Sequence, residues 1–349
     1  MNNKIVIGIT QGDANGISYE VIIKALSDQR VLDLCTPVLY GSSKILGYYK
    51  KMITEVENFP ANLINSAREA HPRRINVVNC IPDSVVPEPG KQNEEGGKGA
   101  LKALEEAVKE LKGGYLDALV TAPFNKYEVS RNGFAFKGHT EYLTDSFGAG
   151  SSLMFMVSQV IKIGVVTNHI PVSQISASLT PKLIMDKIIL MDQSLRRDFA
   201  IPKPKIAVLG LNPHAGDNGL TGDEEENVIN PALRELRDKG LLVFGPFSPD
   251  GFFAAGEFRK YDAVMAMYHD QGLIPFKTLS FECGVNFTAG LPVVRTSPDH
   301  GTAYDLAGKN LASHSSMIAA IYTACDISRN RKDYDQLIAN SLQPVNLND

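Results

Sequence analysis

The residues of this chain best suited to chemistry are three of its seven histidines, each placed at the end of an apolar run. Ile161–Ile170 (IKIGVVTNHI) delivers His169, Lys205–His214 (KIAVLGLNPH) delivers His214, and Tyr261–Asp270 (YDAVMAMYHD) delivers His269. Runs of this kind read as buried strands of a parallel sheet. Open α/β sheets put ligands beyond the carboxyl ends of such strands. Neutral imidazoles are the usual ligands of Zn²⁺ and similar ions, and three of them leave a coordination position for substrate. The intervals of 45 and 55 positions form no local metal motif, so the argument rests on the three equivalent placements. Asp270, beside His269, is placed to orient that ring or to reach substrate. Downstream, Lys277, Asn286 and Arg295 supply two cations and an amide, a set suited to a phosphate or carboxylate.

Several elements must hold these groups. Lys4–Thr10 (KIVIGIT) reads as a first strand, opening through the glycine turn QGDANGISYE into the helix Val21–Leu26. This is not GxGxxG, so a Rossmann dinucleotide site is not supported. Pro37–Tyr40 is a strand, Lys50–Arg74 is weakly patterned, and Asn76–Asn79 reads as an edge strand. Pro82–Gly97 reads as a surface loop, followed by an amphipathic helix over Gly99–Lys112. Leu116–Ala122 is the next strand. His139 and Thr140 follow Gly138 at a helix start, with Thr140 as a cap and His139 exposed in a cleft. Leu153–Ser158 and Ile161–Ile170 read as an adjacent strand pair, and Thr180-Pro181 opens a helix. Asp223–Glu226 precedes the helix Val228–Lys239, whose positive end suits acids. Phe287–Ser297 is expected as one strand carrying Arg295, and Ser313–Ala324 as a helix. Asp326–Asp349 reads as a polar stretch ending in a frayed tail.

Composition sets the outer bounds. With 349 residues the chain exceeds one ordinary core, so two lobes are expected. Thirty-five basic against 39 acidic residues, without a basic block, argue against duplex nucleic acid as a partner. No apolar stretch reaches membrane-spanning length, and nothing at the start reads as a signal peptide. Four dispersed cysteines without a CxxC pair point to reduced thiols in a cytoplasmic protein.

The segments ITQGDANGI, GHTEYL, NPHAGDNGLTGDEE, YHDQGLIPFK and GLPVVRTSPDHGTAYDLAG closely resemble, in the same order from about Lys4 to Ala324, the 4-hydroxythreonine-4-phosphate dehydrogenase family of pyridoxal phosphate biosynthesis. The first loop departs from the family pattern, with Ala14-Asn15 and Ser18-Tyr19 where Pro-Ala and Gly-Pro are usual. The resemblance implies that His169, His214 and His269 bind a divalent metal, zinc first, with magnesium, manganese or cobalt as alternatives. It implies substrate contacts at His139, Thr140, Lys277, Asn286 and Arg295, with Asp250 and Asp270 as further contacts; Asp250, Asp270 and Lys277 are the catalytic candidates. DHGTAYDLAGK is similar to the cofactor loop HGSAPDIAGK of isopropylmalate and isocitrate dehydrogenases. That similarity implies their non-Rossmann, two-lobed α/β fold, with a site in the cleft. It also implies a cofactor loop carrying His300, Gly301 and Asp305, the aspartate selecting NAD over NADP.

The fold so implied divides into residues 1–126 plus 284–349 and residues 127–283. The activity implied is NAD-dependent oxidation of 4-phosphooxy-L-threonine to a 3-keto acid, which then loses CO₂ to leave 3-amino-2-oxopropyl phosphate. A homodimer with a shared site is implied as well, with His169 and His214 expected from one subunit and His269 from the other. Two other readings remain open on the residues. One is a dehydrogenase of a phosphorylated sugar acid, with hydroxyl in place of the amine. The other is a metal-dependent hydrolase, which would not need the DHGTAYDLAGK loop.

Overall fold

The structure, a computed structural model, describes residues 4–56, 59–136 and 138–341. Among the described residues twelve strands form one sheet. In chain order they are β1 (Ile5–Thr10), β2 (Cys35–Gly41), β3 (Ala61–Ile64), β4 (Ile75–Asn79), β5 (Ala118–Thr121), β6 (Leu153–Val157), β7 (Lys162–Thr167), β8 (Lys205–Leu209), β9 (Leu242–Phe247), β10 (Ala263–Tyr268), β11 (Val285–Ala289) and β12 (Val294–Pro298). Their order across the sheet is β3-β4-β2-β1-β5-β12-β11-β6-β7-β10-β8-β9. Both flanks are parallel, as near-continuous apolar strands require. The middle is not: β11 runs antiparallel to both β12 and β6, and β6 antiparallel to β7.

This middle corrects the expectation of a single strand over Phe287–Ser297. The chain turns back between β11 and β12. Gly290 takes φ +88°, a value costly for other residues, and Pro292 has no N–H to extend a ladder. Asn76–Asn79 lies in β4, which is interior; β3 is the edge, four residues inside the weakly patterned Lys50–Arg74 stretch. The amphipathic helix begins at Glu94, capped by the Asn93 side chain, so it takes the end of the expected Pro82–Gly97 loop.

The final helix, Ser315–Ala339, runs well past Ala324. Met317, Ala320, Ile321 and Ala324 bury one face, which packs on β12, β5, β1 and β11. Its polar end is pinned by ion pairs of Arg331 with Asp198 and Arg197 with Asp335. The expected tail, residues 342–349, lies outside the described residues. No helix among the described residues is long and apolar enough to cross a membrane.

Candidate functional site

The antiparallel middle of the sheet builds the floor of a cavity. Its register sets Asn286 opposite Ser297 and Thr288 opposite Met154. Because side chains alternate across a strand, Asn286, Thr288, Arg295, Ser297 and Met154 stand on one face. A cavity of about 270 Å³ lies over this face, lined by Asn286, Arg295, Ser297 and Met154 and also by Phe124, Lys126, His139, Thr140, Asn168, His169, Lys277, Asp299, His300 and Gly301. Residues far apart in sequence are thereby assembled on a sheet face rather than only at strand ends.

Arg295 is buried, and among the described residues no carboxylate is bonded to it. Its Nε and Nη2 donate to Thr121 Oγ1 at 3.0 and 2.6 Å, and its Nη1 to Thr288 Oγ1 at 3.2 Å. Burial pushes its pKa down to about 10, opposed by Glu141. The guanidinium therefore stays charged at neutral pH, and a buried cation satisfied only by hydroxyls favours an anionic ligand.

His139 is not exposed as expected. Its ring stacks on Phe124 with centroids 3.9 Å apart. The residue as a whole keeps some solvent contact, but this stacked enclosure governs its charge. Burial, with Arg295 and Lys126 nearby, holds its pKa well below the ordinary histidine value. Thr140 is not a cap either: Gly138 is the cap residue of the His139–Ser146 helix, and Thr140 Oγ1 lies 3.4 Å from Thr288 Oγ1.

Lys277 pairs with Asp299, Nζ to Oδ1, at 2.9 Å. Burial raises the Asp299 pKa against the lowering effect of that pair. Asp299, Asn168, Lys126 and Phe124 were not singled out from sequence, although Asn168 directly precedes His169 and Asp299 directly precedes His300. Asn168 Oδ1, Asn286 Oδ1, Asp299 Oδ2 and His300 Nε2 are buried without a hydrogen-bond partner. Such groups are rare in folded proteins, and here they cluster around one cavity.

The histidines divide unequally. β7 and β10 are parallel neighbours, so His169 and His269 come together with ring centroids 5.6 Å apart in one chain. His269 Nδ1 lies 2.7 Å from Asp270 Oδ1, an orienting contact typical of metal-bound imidazoles. His214 lines a different cavity, of about 780 Å³, with Asp250, Asp270, Phe253 and Ile274. Neither Asp250 nor Asp270 lines the smaller cavity with Lys277. Among the described residues no three His, Cys, Asp or Glu side chains converge within one chain. The donor set thus fits a metal in part, with two imidazoles supplied by one chain.

His214 sits in a strained loop. Residues 214 to 219 all have positive φ, including the non-glycines His214 (55°), Ala215 (51°), Asp217 (44°) and Asn218 (55°). Such a run persists only when its surroundings over-determine it. Buried Glu225 does so, accepting from Leu211 N at 2.6 Å, Asn212 N at 2.8 Å and Asn212 Nδ2 at 2.9 Å. The acids read as dipole partners of a helix therefore include one that ties down the histidine loop. Asp250 accepts from Ser248 Oγ at 2.7 Å, and this bond, with the Gly251 N–H and nearby His214, lowers its pKa.

On the loop likened to a cofactor site, His300 and Gly301 line the smaller cavity and Asp305 is exposed. His300 Nδ1 lies 3.0 Å from the Gly301 carbonyl, which can only accept, so Nδ1 carries the proton and Nε2 is an acceptor.

Comparison with known proteins adds the following. Residues 33–324 match the family model described as "Pyridoxal phosphate biosynthetic protein PdxA". The chain is 51% identical to a 4-hydroxythreonine-4-phosphate dehydrogenase of Bacteroides thetaiotaomicron, covering 95% of this chain and 90% of that one. It is 38% identical to a D-threonate 4-phosphate dehydrogenase of Cupriavidus necator, covering 93% and 98% respectively. Among solved structures, a 4-hydroxythreonine-4-phosphate dehydrogenase of Klebsiella pneumoniae superposes with a TM-score of 0.81 at 37% identity, covering 94% and 99%.

Proposed function

The chain belongs to the pyridoxal phosphate biosynthetic protein PdxA family, and on that premise we propose that it oxidises 4-phosphooxy-L-threonine with NAD and a divalent metal. The product is 2-amino-3-oxo-4-phosphooxybutanoate, whose decarboxylation leaves 3-amino-2-oxopropyl phosphate. The observation that carries this reading is the single cavity shared by His139, Thr140, His169, Lys277, Asn286 and Arg295. Its lining draws on both proposed parts, Phe124, Lys126, Asn286, Arg295 and His300 from one and His139, Thr140, Met154, His169 and Lys277 from the other, which supports a two-lobed division near 126/127 and 283/284 with the site in the cleft.

When bound, the ion supplies Lewis acidity and NAD the two-electron acceptor. The chain supplies the rest. Arg295 and Lys126 attract the anionic end of the substrate, and neutral His139 packs on Phe124 beside it. The Lys277–Asp299 pair presents both charges to a substrate that carries both. His169 and His269 hold the ion, zinc or a similar divalent, with Asp270 orienting His269.

The third imidazole, His214, comes from a second copy of the chain. Exposed Ile274, Leu279 and Phe281 lie on or beside the helix bordering its cavity, an apolar surface suited to a homodimer contact. Asp250, next to His214, then reaches the site across the same contact. His300, Gly301 and Asp305 receive the cofactor, Asp305 accepting from the ribose hydroxyls and repelling a 2′-phosphate.

The second reading, oxidation of the corresponding hydroxy acid, is favoured by the relatives named D-threonate 4-phosphate dehydrogenase. Side-by-side NAD reduction by the purified protein with the amino and hydroxy substrates decides between them. We expect kcat/KM to favour the amino compound by at least tenfold. A preference for the hydroxy acid would replace the first reading with the second.

A further inference from the structure

The first loop, QGDANG, takes no part in the cavity's lining, yet it is buried and tightly bonded to the loop assigned to the cofactor. Tyr304 Oη donates to Asp13 Oδ2 at 2.5 Å. Asp13 is fully buried, and its other carboxylate oxygen accepts from Asn15 N at 2.9 Å. The Asn125 and Thr302 side chains lie close enough to the Tyr304 hydroxyl to oppose the raising of its pKa by burial and by Asp13. That hydroxyl therefore stands where three segments meet: the loop after β1, to which it is bonded, the loop after β5 and its own loop after β12. The second of these continues into Lys126 on the substrate cavity and follows Phe124, on which His139 stacks.

The backbone alone would not set this arrangement. Ile17 N donates to Thr302 O at 3.0 Å, and Gly16 approaches Thr302 so closely that a Cβ would collide with its carbonyl. Glu20 accepts from Gly308 N, and Lys24 donates to the carbonyls of Asn310 and Ala312 at 3.0 and 3.1 Å. These contacts hold either end of residues 302–312. Between them, Ala303 is in the left-handed region at φ 42°. A non-glycine there costs energy unless the following side chain is anchored. Tyr304 is that anchor, and Asp305, the exposed acid, is its neighbour in the chain.

The loop also fits a dinucleotide on its own features. His300 Nε2 is an acceptor without a donor, Gly301 faces open space and Asp305 is exposed.

We propose that Tyr304, held by Asp13, is a positioning residue for NAD, fixing the Thr302–Asp305 segment so that Asp305 and His300 meet the cofactor together. This rests on the reading of residues 300–305 as the cofactor loop. It gives the first loop a role through Asp13, the residue just before the divergent Ala14-Asn15 pair, which supplies the carboxylate that receives the tyrosine.

The test is direct binding, measured by calorimetry on the full chain. Tyr304→Phe removes only the hydroxyl. It should weaken NAD binding about tenfold and leave the affinity for 4-phosphooxy-L-threonine within twofold. Asp13→Asn keeps an acceptor for the tyrosine and should restore NAD affinity to within about threefold of wild type, whereas Asp13→Ala should match Tyr304→Phe. Hydrogen exchange of the free proteins gives a second readout, with amides 302–306 exchanging faster in Tyr304→Phe and elsewhere unchanged. Unchanged NAD affinity in Tyr304→Phe, or an equal loss for NAD and substrate, would overturn the proposal. Asp305→Ala separates the two levels. If it weakens NAD binding while Tyr304→Phe does not, only the positioning role fails; if neither does, the cofactor-loop reading fails with it.

Discussion

At the scale of single residues, the site is dominated by groups whose charge is set by enclosure. Arg295 is the clearest. Its donors rest on the hydroxyls of Thr121 and Thr288, and the strong acceptor proposed for it is a substrate anion. Arg295→Ala should lower kcat/KM by about 2–3 kcal/mol, on the order of a hundredfold, mainly through KM. An unchanged kcat/KM would show that the anion is held elsewhere. His139 makes a different prediction. Its pKa is depressed in the folded protein, so as pH falls below about 6.5 the unfolded chain takes up a proton that the folded one refuses. Stability should therefore be full above that pH and decline below it. Thermal melts from pH 7.5 to 5.5 should show a shallower decline for His139→Gln than for wild type; parallel slopes would assign the effect to another group.

At the scale of elements, the loop carrying His214 shows how a histidine is presented at a cost in backbone energy. Glu225 gathers two backbone donors and one side-chain donor to hold it. Glu225→Ala leaves those donors unpaired in a buried place and should destabilise the fold by about 2–4 kcal/mol in urea titration. A loss below about 0.5 kcal/mol would mean the loop holds itself. This role was not legible in the sequence, because nothing in a string of acids before a helix distinguishes a dipole partner from a buried acceptor. The strands β1, β7, β8 and β10 were legible, since a strand buried on both faces must be apolar throughout. The β11–β12 hairpin was not, because its turn, Gly290 to Val293, is itself apolar and half-buried. The last helix was cut short for the opposite reason: beyond Cys325 most of its surface faces water, and two ion pairs rather than an apolar stripe mark its path. The residues proposed to contact substrate came from family resemblance, and Lys277, Asn286 and Arg295 line one cavity. Asp299 and Asn168 escaped because their roles depend on cross-sheet neighbours rather than on local pattern.

At the scale of the whole molecule, the proposed dimer acquires a specific partition of ligands. The sequence reading set His269 apart from His169 and His214; on the 5.6 Å approach of the His169 and His269 rings within one chain, we propose instead that these two come from the same subunit. A two-fold dimer in which each site takes His169 and His269 from one chain and His214 from the other has two equivalent composite sites. Mixing inactive His214→Ala and His269→Ala subunits should then create one intact site per hybrid and restore activity. Mixing His169→Ala with His269→Ala should restore nothing, since each chain's own pair carries a lesion. Recovery in both mixtures would instead place His269 apart from His169 and His214, and recovery in the second alone would place His169 apart from the other two.

The position of β12 has a consequence for how the protein is made. Residues 294–298 lie between β5 and β11, and the helix that covers β1 and β5 begins only at Ser315. During synthesis, β1 to β5 therefore leave the ribosome long before the strand and helix that complete their core. Until then β5 presents an unpaired edge and an uncovered apolar face, the two features that drive nascent chains to associate wrongly. The first half to be translated is thus the last to close, and the burden of protecting it falls on the interval in which residues 127–283 emerge and fold beside it.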